Sequence, residues 1–261
     1  MLVNERWSMS HETRQKQICE LIARQGDCSI EELIQRFGVS GMTVRRDLQS
    51  LADQGKVIRT HGGAAMAERV GFEFEFLKHR MENQAAKQAI AAVAAAEIKN
   101  GETIMLDSGT TTLALAGLLH EKRGLTVITN SLPIAAQLQY NQEIEVLLLG
   151  GRLRASSPDL AGAVTEANLE MLRADAVFMG ADAIDRQGGV YQESPEVGRM
   201  LAKMAASAGR VYVVADGSKL GKTAVWRFGR LQDWAALITD AGADRSLLAS
   251  LRKAGVRVLL K

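Results

Sequence analysis

The stretch VSGMTVRRDLQSLADQGKVIRTHGG, Val39 to Gly63, decides how the rest of the chain is read. Ser40 is a capping residue ahead of a helical pattern that runs to about Gln54, where Gly55 stops it. At about 100° per residue, Leu48 and Leu51 fall within roughly 40° of Val44, so these three form an inward stripe. Arg46 then lies nearly opposite, Met42, Thr43 and Gln49 flank it, and Arg45 sits to one side. KVIRT alternates like a strand and HGG turns it.

Working outward, Glu12 to Arg24 carries Ile18, Leu21 and Ile22 at helical spacing, and Gly26 stops that helix. Ser29 with Glu32 is a capping-box pattern, and IEELIQRF places Ile30, Leu33, Ile34 and Phe37 on one face before Gly38. Three short helices with glycine turns, then a strand and a turn, is the order of a winged helix-turn-helix.

The whole chain carries a formal charge of only +2, so an argument for nucleic acid has to be local. It is: Arg36, Arg45, Arg46, Lys56 and Arg59 stand against Asp47 and Asp53 between Arg36 and His61. Arginine pairs bidentately with guanine, glutamine with adenine, and threonine meets phosphate or a thymine methyl. A helix start capped by Ser40 also points amides at a phosphate. Lys56, Arg59 and His61 on the wing face backbone or minor groove if the helix enters the major groove. The DNA-contact candidates are Ser40, Met42, Thr43, Arg45, Arg46, Gln49, Lys56, Arg59 and His61. An arginine pair by itself is more often a solvated helix face; here caps, turns and wing agree.

VSGMTVRRDLQSLADQGKVIRTHGGA resembles the DNA-binding signature of the DeoR family of bacterial transcription regulators, mostly repressors of sugar-catabolic operons. The resemblance places Thr43, Arg45, Arg46 and Asp47 at recognition-helix positions and Arg59, His61, Gly62 and Gly63 on the wing. Gly41 stands where the family often has a larger polar residue. Asp47 is expected to orient an arginine rather than meet phosphate.

Beyond Gly62 no strong period appears until about Phe76, and NQAAKQAIAAVAAAEIKN resumes as a helix. From Thr103 the runs TIMLD, LTVITN, IEVLLLGG, DAVFMGA, RVYVVAD, AALITD and VRVLL are short and apolar without polar alternation, as strands covered on both faces are. Most alternate with helix-like segments, which predicts a mainly parallel α/β domain. The expected division is residues 10–63 for the DNA-binding domain, 64–80 for a linker and 81–261 for the larger domain.

Several strand ends carry polar or small residues. LDSGTTT offers Asp107, Gly109, Thr110 and Thr111, an arrangement suited to phosphate, though without the lysine of a nucleotide-hydrolysing loop. TNS adds Thr129 and Asn130, LGGRLR adds Gly150, Gly151 and Arg152, and DGSK adds Asp216 and Lys219. In an open parallel sheet, ligands bind beyond the carboxyl ends of the strands. LDSGTTT, TNS, LGG, GADAID and DGSK also follow the DeoR order, so the resemblance covers residues 10 to 261. It implies an effector domain similar to the ribose-5-phosphate isomerase and glucosamine-phosphate deaminase fold. It implies a phosphorylated sugar or sugar-acid effector, and it adds Asp182 to the pocket candidates. Two positions depart from the family pattern: Arg199 and Lys203 are separated where a Lys-Arg pair is common, and Leu220 replaces an aromatic residue after Lys219.

Neither a nucleophile-base pair nor a metal-ligand pattern is evident, and the histidines, His11, His61, His79 and His120, all lie in the first half. An isomerase or deaminase with an accessory DNA domain therefore ranks below a ligand-gated regulator, as does an architectural DNA binder with no ligand. No catalytic residue, metal or cofactor is expected. Two cysteines without a CxxC predict a reducing, cytoplasmic setting rather than a disulfide framework. The polar start MLVNERWSMS has no signal-peptide character, Met9 being an alternative start, and no apolar run is long enough for a membrane. The expected partners are double-stranded operator DNA, a small effector and copies of the chain itself, as a dimer or tetramer.

Overall fold

The computed structural model describes residues 10–66, 76, 79, 82–154 and 157–261. The chain forms two compact units, one ending at Lys78 and a larger one built from His79–Arg154 and Pro158–Lys261.

The smaller unit contains α1 (His11–Gln25), β1 (Asp27–Ser29), α2 (Ile30–Phe37), α3 (Gly41–Asp53), β2 (Val57–Arg59) and β3 (Gly63–Met66). Each helix begins on a serine: the side chains of Ser10, Ser29 and Ser40 accept from the backbone of Thr13, Glu32 and Thr43, and Ser29 with Glu32 completes a capping box. Gly38, left-handed at φ 64°, ends α2 and lets α3 start three residues later. Val44, Leu48 and Leu51 are buried with Ile18, Ile22 and Leu33, so the inward stripe of α3 closes the core. Each such side chain contributes about 1.5–3 kcal/mol when fully removed from water.

The wing has a strand the sequence pattern did not reveal. Gly26 ends the first helix, as expected, but Asp27–Ser29 also forms β1, giving an antiparallel sheet in the order β1-β3-β2. Ile30 N donates to Gly62 O at 2.8 Å, joining the start of α2 to the wing turn. β3 lies at Gly63–Met66, where the sequence reading begins the linker; most of the remaining 64–80 segment falls outside the described residues.

In the larger unit the seven apolar runs are seven strands: β4 (Thr103–Leu106), β5 (Leu125–Thr129), β6 (Ile144–Leu148), β9 (Ala174–Met179), β12 (Ala208–Val214), β14 (Ala236–Thr239) and β15 (Val258–Leu260). All pair in parallel, in the order β15-β14-β12-β9-β4-β5-β6. Ile104, Met105 and Leu106 on central β4 are fully buried, as strands covered on both faces require. The covering helices are α4 (Gln84–Ala96), α5 (Thr110–Ala116), α6 (Leu132–Leu138), α7 (Ala163–Met171), α8 (Pro195–Ala206) and α9 (Arg245–Lys253). The alanines of α4 allow close approach, and Ala91 and Ala94 are buried beside Ile90.

Two antiparallel additions were not legible as apolar runs. β7 (Arg152–Leu153) pairs with β8 (Leu160–Ala161) just after β6. β10 (Ala183–Ile184), β11 (Gly189–Gln192) and β13 (Trp226–Arg230) form a separate three-stranded sheet. Phe228 and Trp234 pack together, 5.7 Å between ring centroids, while Trp226 stays partly exposed. The strand order reverses between β4 and β9, and a crevice at such a reversal is where α/β sheets bind ligands.

Candidate nucleic-acid interface and effector cleft

On α3, Met42, Arg45, Arg46 and Gln49 are exposed, as are Ser40 before the helix and Lys56, Arg59 and His61 beyond it. Thr43 is half-buried, its hydroxyl 3.0 Å from Ser40 Oγ, so it helps to build the cap. Arg45, Arg46 and Lys56 make no hydrogen bond or ion pair with any described residue. Gln49 is held on both sides: its Nε2 donates to Asp53 at 2.8 Å and its Oε1 accepts from Arg59 Nη1 at 2.8 Å. That bridge ties α3 to the wing.

Asp47 does orient an arginine, and that arginine is Arg14 of α1. Arg14 Nε donates to Asp47 Oδ2 at 2.6 Å, and His11 Nε2 lies 3.0 Å from Oδ1. The Asp47 side chain is buried. The carboxylate that sequence places beside Arg46 is thus withdrawn inward, and the exposed face keeps its positive charge.

In the larger unit Asp107 leaves the end of β4 at the order reversal. Its Oδ2 accepts from Gly180 N after β9 at 2.7 Å, and its Oδ1 accepts from Thr112 Oγ1 at 2.7 Å and Gly109 N at 3.0 Å. Burial pushes its carboxyl above the ordinary carboxylate range, with these hydrogen bonds pulling the other way. Asp107 therefore organises the loop that presents Ser108, Gly109 and Thr110. Ser108 Oγ donates to Asp159, which is fully buried and receives Arg154 Nε at 2.6 Å and Nη2 at 2.7 Å. Arg152 donates from Nη2 to both oxygens of Glu196, at 3.0 and 3.1 Å. Glu196 and Asp182 both act electrostatically on Arg154, placing these groups in one cluster.

The profile of the DeoR-like helix-turn-helix domain matches residues 14–70, and that of the DeoR C terminal sensor domain matches residues 82–241. The chain belongs to the DeoR family. It is 34% identical over 246 residues to the HTH-type transcriptional regulator GlpR of Haloferax volcanii, covering 94% of this chain and 96% of that protein. It is 32% identical over 244 residues to the glycerol-3-phosphate regulon repressor of Escherichia coli K12, covering 93% and 96%. These DeoR relatives are named as regulators, not enzymes. Among solved structures, ribose 5-phosphate isomerase A of Methanocaldococcus jannaschii aligns with a TM-score of 0.40 and 19% identity, over 53% of this chain and 55% of that one.

Within the sensor domain of this DeoR protein, the remaining sequence-predicted residues fall at the carboxyl ends of the sheet but differ in accessibility. Thr110 is half-exposed, whereas Thr111 is buried. Thr129 is buried and accepts from Ser131 N at 3.1 Å. Asn130 Nδ2 donates to Leu160 O at 3.0 Å, and its buried Oδ1 has no partner among the described residues. Gly150 N donates to Asn168 Oδ1 at 2.9 Å. Gly151, at φ 152°, lies so close to α7 that a Cβ there would sit 2.2 Å from Thr165 Oγ1. Asp182 accepts from Glu193 N at 2.9 Å. Asp216 is buried and caps Ser218 N at 3.0 Å, with half-exposed Lys219 on the same short turn. Arg199 and Lys203 both lie within 3.8 Å of Glu166 on α7, and Leu220 is buried.

Sequence reasoning missed four residues here. Asn83 Nδ2 donates to Asp216 Oδ1 at 3.2 Å from a left-handed backbone position at φ 50°. Lys87 is mostly buried, donates to Glu82 O at 2.7 Å, and feels both Asp216 and Lys219; burial lowers its ammonium below the ordinary lysine range. Lys87 and Thr110 also line one cleft between α4 and α5. A signal was present, because Lys87 occupies the apolar stripe of Ile90, Ala91 and Ala94. Asp159 and Arg154 had none: they sit in a loop without period.

Proposed function

We propose that this DeoR regulator is a repressor of a carbohydrate-catabolic operon. It holds double-stranded operator DNA through α3 and the wing, and a phosphorylated sugar or sugar acid modulates or releases that grip. The observation that carries the DNA half is the set of exposed cations, Arg45, Arg46 and Lys56, without a hydrogen-bond or ion-pair partner among the described residues while Asp47 is turned inward. Phosphates of the duplex supply the missing counter-charge, and base edges meet Met42, Thr43, Arg46 and Gln49. Ser40, Arg59 and His61 position the helix and wing on the backbone.

The effector half rests on Asp107, Gly109, Thr110, Thr111, Thr129, Asn130, Gly150, Gly151, Arg152, Asp182, Asp216 and Lys219 sharing the carboxyl ends of one parallel sheet, with Lys87 added. A relative named as a glycerol-3-phosphate regulon repressor supports a phosphorylated ligand. The smaller unit, up to the wing strand β3, reads the operator, residues 81–261 sense the effector, and the segment between them transmits the change. A dimer or tetramer places recognition helices on half-sites about one helical turn apart, or a multiple of it. No described helix is long and apolar enough to cross a membrane. Action on operator DNA is what places the proposed repressor in the cytoplasm.

The test is operator selection in vitro followed by a release assay against sugar phosphates, sugar acids and their phosphates. One phosphorylated compound is expected to shift operator affinity while its free sugar does not. A chain that selects no DNA sequence, or an operator complex indifferent to the whole panel, overturns the corresponding half.

A further inference from the structure

Two arginines follow β6, and they are held in different ways. Arg154 lays its Nε and Nη2 edge along Asp159, which is fully buried and also holds Ser108. An anion that took Arg154 would strand a buried carboxylate, so Arg154 is fixed in place. Arg152 is mostly exposed, and only its Nη2 is engaged, bridging both oxygens of Glu196. Among the described residues its Nε and Nη1 have no partner, and Glu196 makes no hydrogen bond or ion pair besides that with Arg152, although its charge also reaches Arg154. A guanidinium offers two-pronged recognition along its Nε/Nη2 edge or its Nη1/Nη2 edge, and both edges include Nη2. The nitrogen that a bidentate phosphate needs is the one that Glu196 occupies.

We propose that Glu196 is a specificity-determining residue of the effector cleft, an internal carboxylate that competes with the ligand's anion for Nη2 of Arg152. The inference rests on the effector reading above. A phosphate monoester carries nearly two charges against the single charge of a carboxylate, so it displaces Glu196 where a simple carboxylate ligand does not. The displaced Glu196 stays at the first turn of α8, where an acidic side chain is well placed and half-exposed to water. Selectivity for phosphorylated over merely acidic ligands then comes from an ion pair that must be broken, in addition to the bonds that are made.

The experiment uses the full chain with inorganic phosphate and acetate as probes, reading half-saturation from the rise in melting temperature. Four proteins are compared: wild type, Glu196→Gln, Arg152→Gln and the double variant. Glu196→Gln preserves shape at an exposed helix start, and its ligand-free melting temperature checks that the fold is unchanged. It is expected to lower the half-saturating phosphate concentration about two- to five-fold, the range set by one exposed ion pair. Acetate should gain at least as much, narrowing the preference for phosphate, and both gains should vanish with Arg152→Gln. Unchanged phosphate binding in Glu196→Gln, or a gain that survives loss of Arg152, overturns the proposal. A wild-type chain that ignores every sugar phosphate, while Glu196→Gln still tightens on inorganic phosphate through Arg152, overturns the effector reading and supports only the competition of Glu196 with an anion for Nη2 of Arg152.

Discussion

The two units treat positive charge in opposite ways. In the smaller one, Arg45, Arg46 and Lys56 stand exposed without hydrogen-bond or ion-pair partners among the described residues, and the nearby acid, Asp47, is turned into the core onto Arg14. In the larger one, each arginine near the proposed cleft already has a carboxylate: Arg152 has Glu196, Arg154 has Asp159 and Arg199 approaches Glu166. The difference suits the two ligands proposed above. A duplex is a dense polyanion that releases counterions along its length, and a surface meeting it gains most from cations left open. A small anion must be told apart from its neighbours in the cell, and prior pairing makes weak ligands fail.

That contrast is open to attack at both ends. The largest expected effect is Asp159→Ala, which leaves Arg154 buried beside a lost partner and strands Ser108. Urea unfolding of the larger unit should show a loss of about 4 kcal/mol. A loss below about 1 kcal/mol would mean that Arg154 is freer than its geometry says and could bind ligand directly. Asp47→Ala should cost about 3 kcal/mol in the smaller unit, because Arg14 and His11 lose their shared acceptor. Operator affinity would fall in step with unfolding of that unit rather than ahead of it.

Arg46→Ala is the reverse case. It should weaken operator binding by about 1–3 kcal/mol and relax base preference, measured by titration of selected DNA, with stability unchanged within about 0.5 kcal/mol. A stability loss as large as the binding loss would show that this guanidinium has an internal role after all. The smallest effect on the free protein is expected from Lys219→Ala: operator binding and melting temperature hold, while release by the active sugar phosphate is blunted. Unimpaired release would remove Lys219 from the cleft and leave Lys87 as the ammonium to examine.

Much of this architecture was readable because it is local. The stripe of Val44, Leu48 and Leu51, the capping box of Ser29 and Glu32, and the seven apolar runs depend on spacing within one element, and each is present. What escaped is pairing across distance. Nothing in DCS says that it will lie against Gly63–Ala65, and nothing at Asp47 names Arg14 as its partner. The candidate cleft was legible as a set of strand ends, but not its charge state. Glu196 and Asp159 neutralise their arginines from helix and loop positions whose approach only the tertiary fold decides. Lys87 is the instructive miss: a cation on an otherwise apolar helix face is a visible anomaly, and it leads to Asp216 and Lys219.

The third wing strand has one more consequence. At Gly63 the backbone passes so close to Cys28 that a Cβ would lie 2.0 Å from its carbonyl oxygen, and Ile30 is tied to the turn at Gly62. The start of α2 and the wing turn are thereby pinned to one another like the fixed frame of a caliper. If operator DNA is gripped through this unit, as proposed, a frame held in this way leaves more of the adjustment to the duplex. Base pairs lying between the two jaws, touched by no side chain, would then be chosen for how readily they flex.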